Sequence, residues 1–312
     1  MRSSTSSFDR RLCCAACLTL VALLAACVPS RAAGAAEGLP IAASPAPPSA
    51  TPRPTAIATA VPSATAPATA TPPGPTPTVG AGLPFGIGRS VADRPLEVFR
   101  FGEGPRELLI VAGIHGGYEW NTIALADALI GRLQSEPGRL PDDVTLYILR
   151  ALNPDGEARS HSYEGRSNDH GVDLNRNWPV NWHPDWDRTY CWHYLPITAG
   201  EHPLSEPETT ALMRFILDHD FDGLISYHSA ALGIFPGGSP PDTASARLAE
   251  SLAAVSGYLY PPRDYGCEYT GQFADWAVSQ GIPAVDVELT NHVDTDFDIN
   301  LAVLETFLNW RP

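Results

Sequence analysis

The chain has 312 residues and a net charge of −15, and all 20 of its basic residues are arginine. A chain this acidic lacks the cationic face that nucleic-acid phosphates need, so no nucleic-acid partner is expected. The length admits one or two domains.

Residues 1–26 read as a secretory signal. Arg2, Arg10 and Arg11 form a basic start, Leu12 to Ala26 is an apolar run, and small residues close it. Its end, Leu24-Ala25-Ala26-Cys27, resembles a bacterial lipobox. That resemblance implies lipid on Cys27 and an exported protein anchored to the outer face of a bacterial membrane. Cleavage near Ala35-Ala36, giving a secreted form, is the alternative. An uncut anchor helix fits less well, because the run is shorter than the ~20 residues a bilayer span requires.

Residues 27–82 are rich in Pro, Ala, Thr, Ser and Gly, with no apolar period. Such a segment cannot bury enough surface to offset its chain entropy, so it reads as an extended tether. Its prolines favour a semi-rigid polyproline-like spacer.

Residues 83–312 have the size of one compact domain, expected as a monomer. Strands are predicted at 96–101 and 107–113, then a helix at 119–134 with Ile123, Leu125, Leu129, Ile130 and Leu133 on its apolar face. A strand at 144–149 ends in the turn residues Asn153-Pro154-Asp155-Gly156. Residues 157–204 look irregular, and a connection that long in a compact domain is usually functional. Ser205, Pro207 and Glu208 have the pattern of a capping box opening the next helix. A strand at 222–227, helices at 243–256 and 272–280, a strand at 282–289 and a helix at 300–310 complete the chain. Strands separated by helices predict a single α/β domain with a mixed, largely parallel central β-sheet flanked by helices. Sites in such sheets gather at the carboxyl ends of the strands, where His115, His228 and Glu288 fall.

Four stretches carry chemistry: Gly113-Ile114-His115-Gly116-Gly117-Tyr118-Glu119, Arg166 to Trp178, Ser226-Tyr227-His228-Ser229, and Val285-Asp286-Val287-Glu288-Leu289. They resemble the zinc carboxypeptidase family, meaning carboxypeptidase A and bacterial relatives that include murein-peptide amidases. The likeness covers most of 107–312. It implies one Zn²⁺ held by His115, Glu119 and His228, with a fourth position left open for water. The family spaces its first pair His-x-x-Glu, whereas this chain has His-x-x-x-Glu. Gly116 and Gly117 let the loop absorb the extra residue. Glu119 is otherwise a helix-terminal charge favoured by the dipole.

The resemblance assigns Asn175 and Arg176 to the substrate's terminal carboxylate, which suits the planar arginine fork. It assigns Arg166 to the oxyanion as a catalytic charge, and Asp173 to the far nitrogen of His115. Glu288 takes the catalytic proton-transfer role. Asp286, two residues earlier on the same strand face, is the nearest rival. Tyr269, with Tyr265 as the other candidate, is expected to contact substrate. Ala274 near the pocket floor disfavours a strict preference for basic C-terminal residues. Cys191 and Cys267 both lie in long loops, and a disulfide between them is expected in an oxidising compartment. The remaining histidines, His292 among them, read either as surface groups or as groups lying just behind the metal ligands.

The implied function is a carboxypeptidase acting on peptides with a free C-terminal carboxylate. An amidase or D,L-carboxypeptidase acting on peptidoglycan stems is the close alternative. A non-catalytic peptide-binding module is a third, and Glu288 beside both histidines speaks against it. A serine hydrolase is disfavoured, because no Gly-x-Ser-x-Gly elbow occurs.

Overall fold

A computed structural model describes residues 82–186, 196–264 and 266–312. The signal, Cys27, most of the tether, Cys191 and Tyr265 lie outside the described residues.

In chain order the elements are β1 (Pro84–Arg89), β2 (Pro95–Phe101), β3 (Arg106–Val111), α1 (Trp120–Ser135), β4 (Val144–Leu149), the single turn α2 (Pro154–Glu157), α3 (Pro207–Leu217), β5 (Phe221–Ser229), β6 (Gly233–Pro236), α4 (Thr243–Ser256), α5 (Phe273–Ser279), β7 (Ala284–Leu289) and α6 (Phe297–Asn309). The strands form one seven-stranded sheet in the order β1-β2-β4-β3-β5-β7-β6. The middle four run parallel, and β1, β2 and β6 pair antiparallel at the two sides. The α/β reading therefore holds.

Alternation along the central strands separates two apolar layers. Leu108, Ile110, Ile225, Tyr227, Val285 and Val287 face α1, α4 and α6, and all six are buried. Leu109, Val111, Leu224 and Ala284 face α3 and α5 on the other side. By the same period of two, Ser226 and His228 on β5 and Asp286 and Glu288 on β7 share the α5 face. In the β5–β7 ladder, Ser226 lies opposite Asp286 and His228 opposite Glu288.

From β3 the chain passes through α1 to β4 on one side, while β5 and β7 lie on the other. The carboxyl ends of β3 and β5 therefore open at a topological switch point, where α/β sheets leave a crevice.

Several expected details differ. The sequence pattern marks neither β1 nor β6. β1 carries two glycines and a register shift between Gly86 and Gly88, and β6 has only 4 residues, so neither shows clear alternation. The helix expected from Ser205 starts one residue later. Glu206 is its N-cap without a side-chain cap bond, and the Ser205 hydroxyl donates to Glu206 at 2.6 Å. α6 begins at Phe297, three residues before the expected start.

Candidate metal centre and active site

Beyond Val111 the backbone turns at Gly113, whose φ of 60° suits a residue without a Cβ. Gly116 and Gly117 then bring the loop against neighbouring backbone. A Cβ on Gly116 would strike Asn153 and Glu157, and one on Gly117 would strike Ser162 and Gly165. The Gly117 N–H donates to the Gly165 carbonyl at 2.8 Å. This close seating holds His115 and Glu119 against the turn Tyr163–Arg166 that carries Arg166.

Glu119 is the N-cap residue of α1, yet its side chain makes no cap bond. It turns inward instead. One carboxylate oxygen lies 2.8 Å from His115 Nδ1, and the other lies 3.3 Å from His228 Nδ1. The longer spacing therefore does not prevent Glu119 from meeting both imidazoles. The Ser229 N–H donates to the second oxygen at 3.1 Å. Potential ligand atoms of His115, Glu119 and His228 all lie within 4.8 Å of one another, and all three residues are buried. Burial opposes the charge on Glu119, but His115 and His228 outweigh it and hold its carboxyl well below the usual range.

Arg166 bridges two carboxylates. Its Nη1 donates to Glu119 at 3.1 Å and its Nε to Asp173 at 2.9 Å. The other Asp173 oxygen lies 3.0 Å from His115 Nε2. Asp173 is fully buried, which disfavours its charge, yet Arg166 and then His115 hold its carboxyl well below the usual range.

Asn175 and Arg176 lie in the next turn, Leu174–Arg176. The Asn175 side-chain oxygen accepts the Phe273 N–H at 2.9 Å, which ties this turn to the start of α5. The Arg176 guanidinium is buried, 5.4 Å from the ring centre of Tyr269 and 5.5 Å from that of Trp186. Its Nη1 donates to the Asn175 carbonyl at 2.7 Å, while its Nε has no hydrogen-bond partner among the described residues. Burial pulls the Arg176 pKa down, and Asp173 resists that pull.

Glu288 sits at the end of β7 opposite His228 and accepts the Ala231 N–H at 2.9 Å. Burial pushes its carboxyl up to about 7, against the opposing pull of His228. Asp286 does not share this position. Its Oδ1 lies 3.6 Å from His228 Nε2, on the edge of the ring away from the nitrogen that faces Glu119.

The zinc carboxypeptidase family (Peptidase M14) matches residues 84–301. The chain belongs to that family. Murein peptide amidase A of Escherichia coli K12 is 28% identical over 234 residues, covering 72% of this chain and 89% of that protein. Carboxypeptidase A6 of Mus musculus is 28% identical over 253 residues, covering 67% of this chain but only 56% of its own length. Among solved structures, bovine thrombin-activatable fibrinolysis inhibitor in complex with tick carboxypeptidase inhibitor superposes with a TM-score of 0.58 at 21% identity, covering 72% of this chain and 88% of that one. Murein-tripeptide amidase from Escherichia coli O157 gives 0.54 at 24% identity, covering 73% and 92%. These two likenesses concern the fold.

The family implies zinc, and the donors present here fit it. Two imidazole nitrogens and one carboxylate are the donor types zinc takes at catalytic sites, with a coordination position to spare. Both histidines turn Nδ1 towards the cluster and keep Nε2 for a neighbour. Such outer partners orient a metal-binding imidazole.

Some residues around the site were not singled out from sequence. Trp186 flanks Arg176. Of the two places open to His292, it takes the one just behind the metal ligands. Its Nδ1 is 3.1 Å from the Ser229 hydroxyl, and its ring lies tilted against that of Tyr118 with centres 4.2 Å apart. Burial lowers its pKa. No spacing rule connects these residues, because they come from separate loops. Cys267 is disulfide-bonded. Its expected partner, Cys191, lies outside the described residues.

Proposed function

We propose that this protein is a zinc-dependent carboxypeptidase that hydrolyses the C-terminal peptide bond of substrates with a free carboxylate. The single observation that carries the reading is that Glu119 reaches the Nδ1 atoms of both His115 and His228. These three side chains would hold the ion. Zinc bound there supplies Lewis acidity, polarising a carbonyl and making water acidic near neutrality.

The chain's own residues perform the rest. Asn175 and Arg176 hold the substrate's terminal carboxylate, and the Trp186 and Tyr269 rings keep the Arg176 fork in place. Arg166 sets a fixed positive charge beside the cluster, where the scissile carbonyl oxygen becomes negative. Glu288 takes a proton from the attacking water and passes it to the departing amine. Asp173 fixes the His115 ring through Nε2. Tyr269, 5.4 Å from the Arg176 guanidinium, lies where it can touch the substrate end.

A second reading keeps the same site but gives it peptidoglycan stem peptides. The extent of the match supports it. The alignment spans 89% of a murein peptide amidase but only 56% of carboxypeptidase A6. Export and a lipid anchor at Cys27, with 27–82 as a spacer, complete the proposal and fit this reading, because an envelope protein meets such stems. The signal-like pattern of 1–26 supports them.

The test is to assay one zinc-loaded preparation on blocked dipeptides and on muropeptides. Release of a C-terminal residue from either confirms hydrolysis at this site, and the ratio of the two rates selects the substrate class. A zinc-loaded protein inert on both would sink the proposal.

A further inference from the structure

Asp286 is a buried carboxylate with no part in the chemistry above. It is 6% exposed, and its Oδ1 has no hydrogen-bond partner among the described residues. A buried carboxylate is costly unless something nearby uses it.

The nearest user is His228. Its Nδ1 faces Glu119 at 3.3 Å, so its Nε2 points the other way. An imidazole that gives Nδ1 to a metal carries its proton on Nε2 and needs an acceptor there. Three polar atoms surround Nε2: the Ser226 hydroxyl at 3.1 Å, Asn175 Nδ2 at 3.4 Å and Asp286 Oδ1 at 3.6 Å. Asn175 cannot accept through that nitrogen, because its side-chain oxygen is the atom that takes the Phe273 N–H. The Ser226 hydroxyl can accept, provided its own proton goes elsewhere, and the Asp286 carboxylate is within hydrogen-bonding reach of it.

We propose that Asp286 is a positioning residue for His228: through the Ser226 hydroxyl and its own unpaired oxygen, it holds the ring with Nδ1 turned to the metal cluster. It does for the second histidine what Asp173, 3.0 Å from His115 Nε2, does for the first. Strand register builds the arrangement. Ser226 and His228 are two apart on β5, and Asp286 is paired with Ser226 on β7, so all three project from one face.

This inference rests on the metal-site reading above, and the experiment separates the two. Zinc affinity of the full-length protein and its variants is measured by competition with a chromophoric chelator, alongside thermal unfolding of the metal-free forms. Asp286→Ala is expected to weaken zinc binding about 10- to 100-fold, the usual effect of losing an outer partner. Asp286→Asn, which keeps an acceptor oxygen, should lose less. The metal-free Asp286→Asn protein, which keeps the side-chain shape and an acceptor oxygen, should melt within a few degrees of wild type. Loss of zinc affinity without a matching loss of metal-free stability is a signature that a merely structural role does not give.

Wild-type zinc affinity in Asp286→Ala overturns the proposal. So does a fall in metal-free stability that accounts for the lost affinity. Selective loss of turnover on peptides ending in Lys or Arg, with zinc affinity unchanged, would make Asp286 a substrate contact and also overturn it. If Asp286→Ala does not fold, Asp286→Asn and Ser226→Ala decide, and unchanged affinity in both refutes the role. Wild-type protein that takes up no zinc would instead remove the metal-site reading itself.

Discussion

Replacing Arg176 with Met separates binding from folding. In the folded protein the guanidinium donates one bond to the Asn175 carbonyl at 2.7 Å, lies within 5.5 Å of the centres of two aromatic rings, and its Nε has no partner among the described residues. Removing it forfeits about 1 kcal/mol for the hydrogen bond and about 0.5–1 kcal/mol for each ring contact. It also relieves the desolvation of a buried cation and of an unsatisfied N–H, terms of similar size. The net change in stability should stay within about 1 kcal/mol, or a few degrees in melting temperature. Substrate binding should respond quite differently. A two-pronged grip on a carboxylate makes two charge-assisted hydrogen bonds of at least about 1.5 kcal/mol each. Losing about 3 kcal/mol corresponds to about 10²-fold in kcat/KM. The same peptide with an amidated C-terminus never had that grip, so it should lose only a few-fold. The assay compares kcat/KM for the acid and the amide, with wild type and Arg176→Met side by side. Parallel losses on both substrates would refute the clamp, and a variant that no longer folds would refute the stability reasoning.

Glu288→Gln should retain zinc but lower turnover by about 10²-fold or more; near-normal rates would remove Glu288 from proton transfer. His228→Ala should lose its zinc on dialysis, as metal analysis of the purified variant will show. Burial lifts Glu208 to about 6 from an ordinary value of 4.5. A raised carboxyl favours the native state while protonated, so its contribution is complete below pH 4.5 and is lost as pH rises through 6. Urea unfolding of wild type and Glu208→Gln across that range should show the difference in stability shifting against wild type by about 2 kcal/mol. A difference that stays flat with pH would contradict the burial argument.

The parts of this fold that could be read from sequence are those with strong periodicity. The apolar faces of α1 and α4 and the run of β3 follow helical and strand spacing closely. β1 and β6 lie at the margins of the sheet: β1 has no buried residue to write a pattern, and β6 buries Ile234 but at four residues is too short to show alternation. The cap at α3 was misplaced because Ser205 has the chemistry of a cap but spends its hydroxyl on Glu206. Within the site, His115, His228 and Glu288 were visible as polar residues at the ends of apolar runs. The role proposed for Asp286 was not, since the sequence ranks it only as a rival to Glu288 and nothing in the strand spacing places it beside the His228 ring. Trp186 and His292 reach the centre from separate loops, and only tertiary packing brings them there.

The backbone contact between Gly117 and Gly165 has a consequence for anyone who would re-engineer this protein. Two segments distant in sequence are pressed together so closely that neither can be lengthened or given a side chain without displacing the other. Libraries that vary segment length there should yield inactive clones in bulk. Diversity confined to Trp186 and Tyr269, the rings beside Arg176, should leave the metal-binding residues undisturbed while changing what the site accepts.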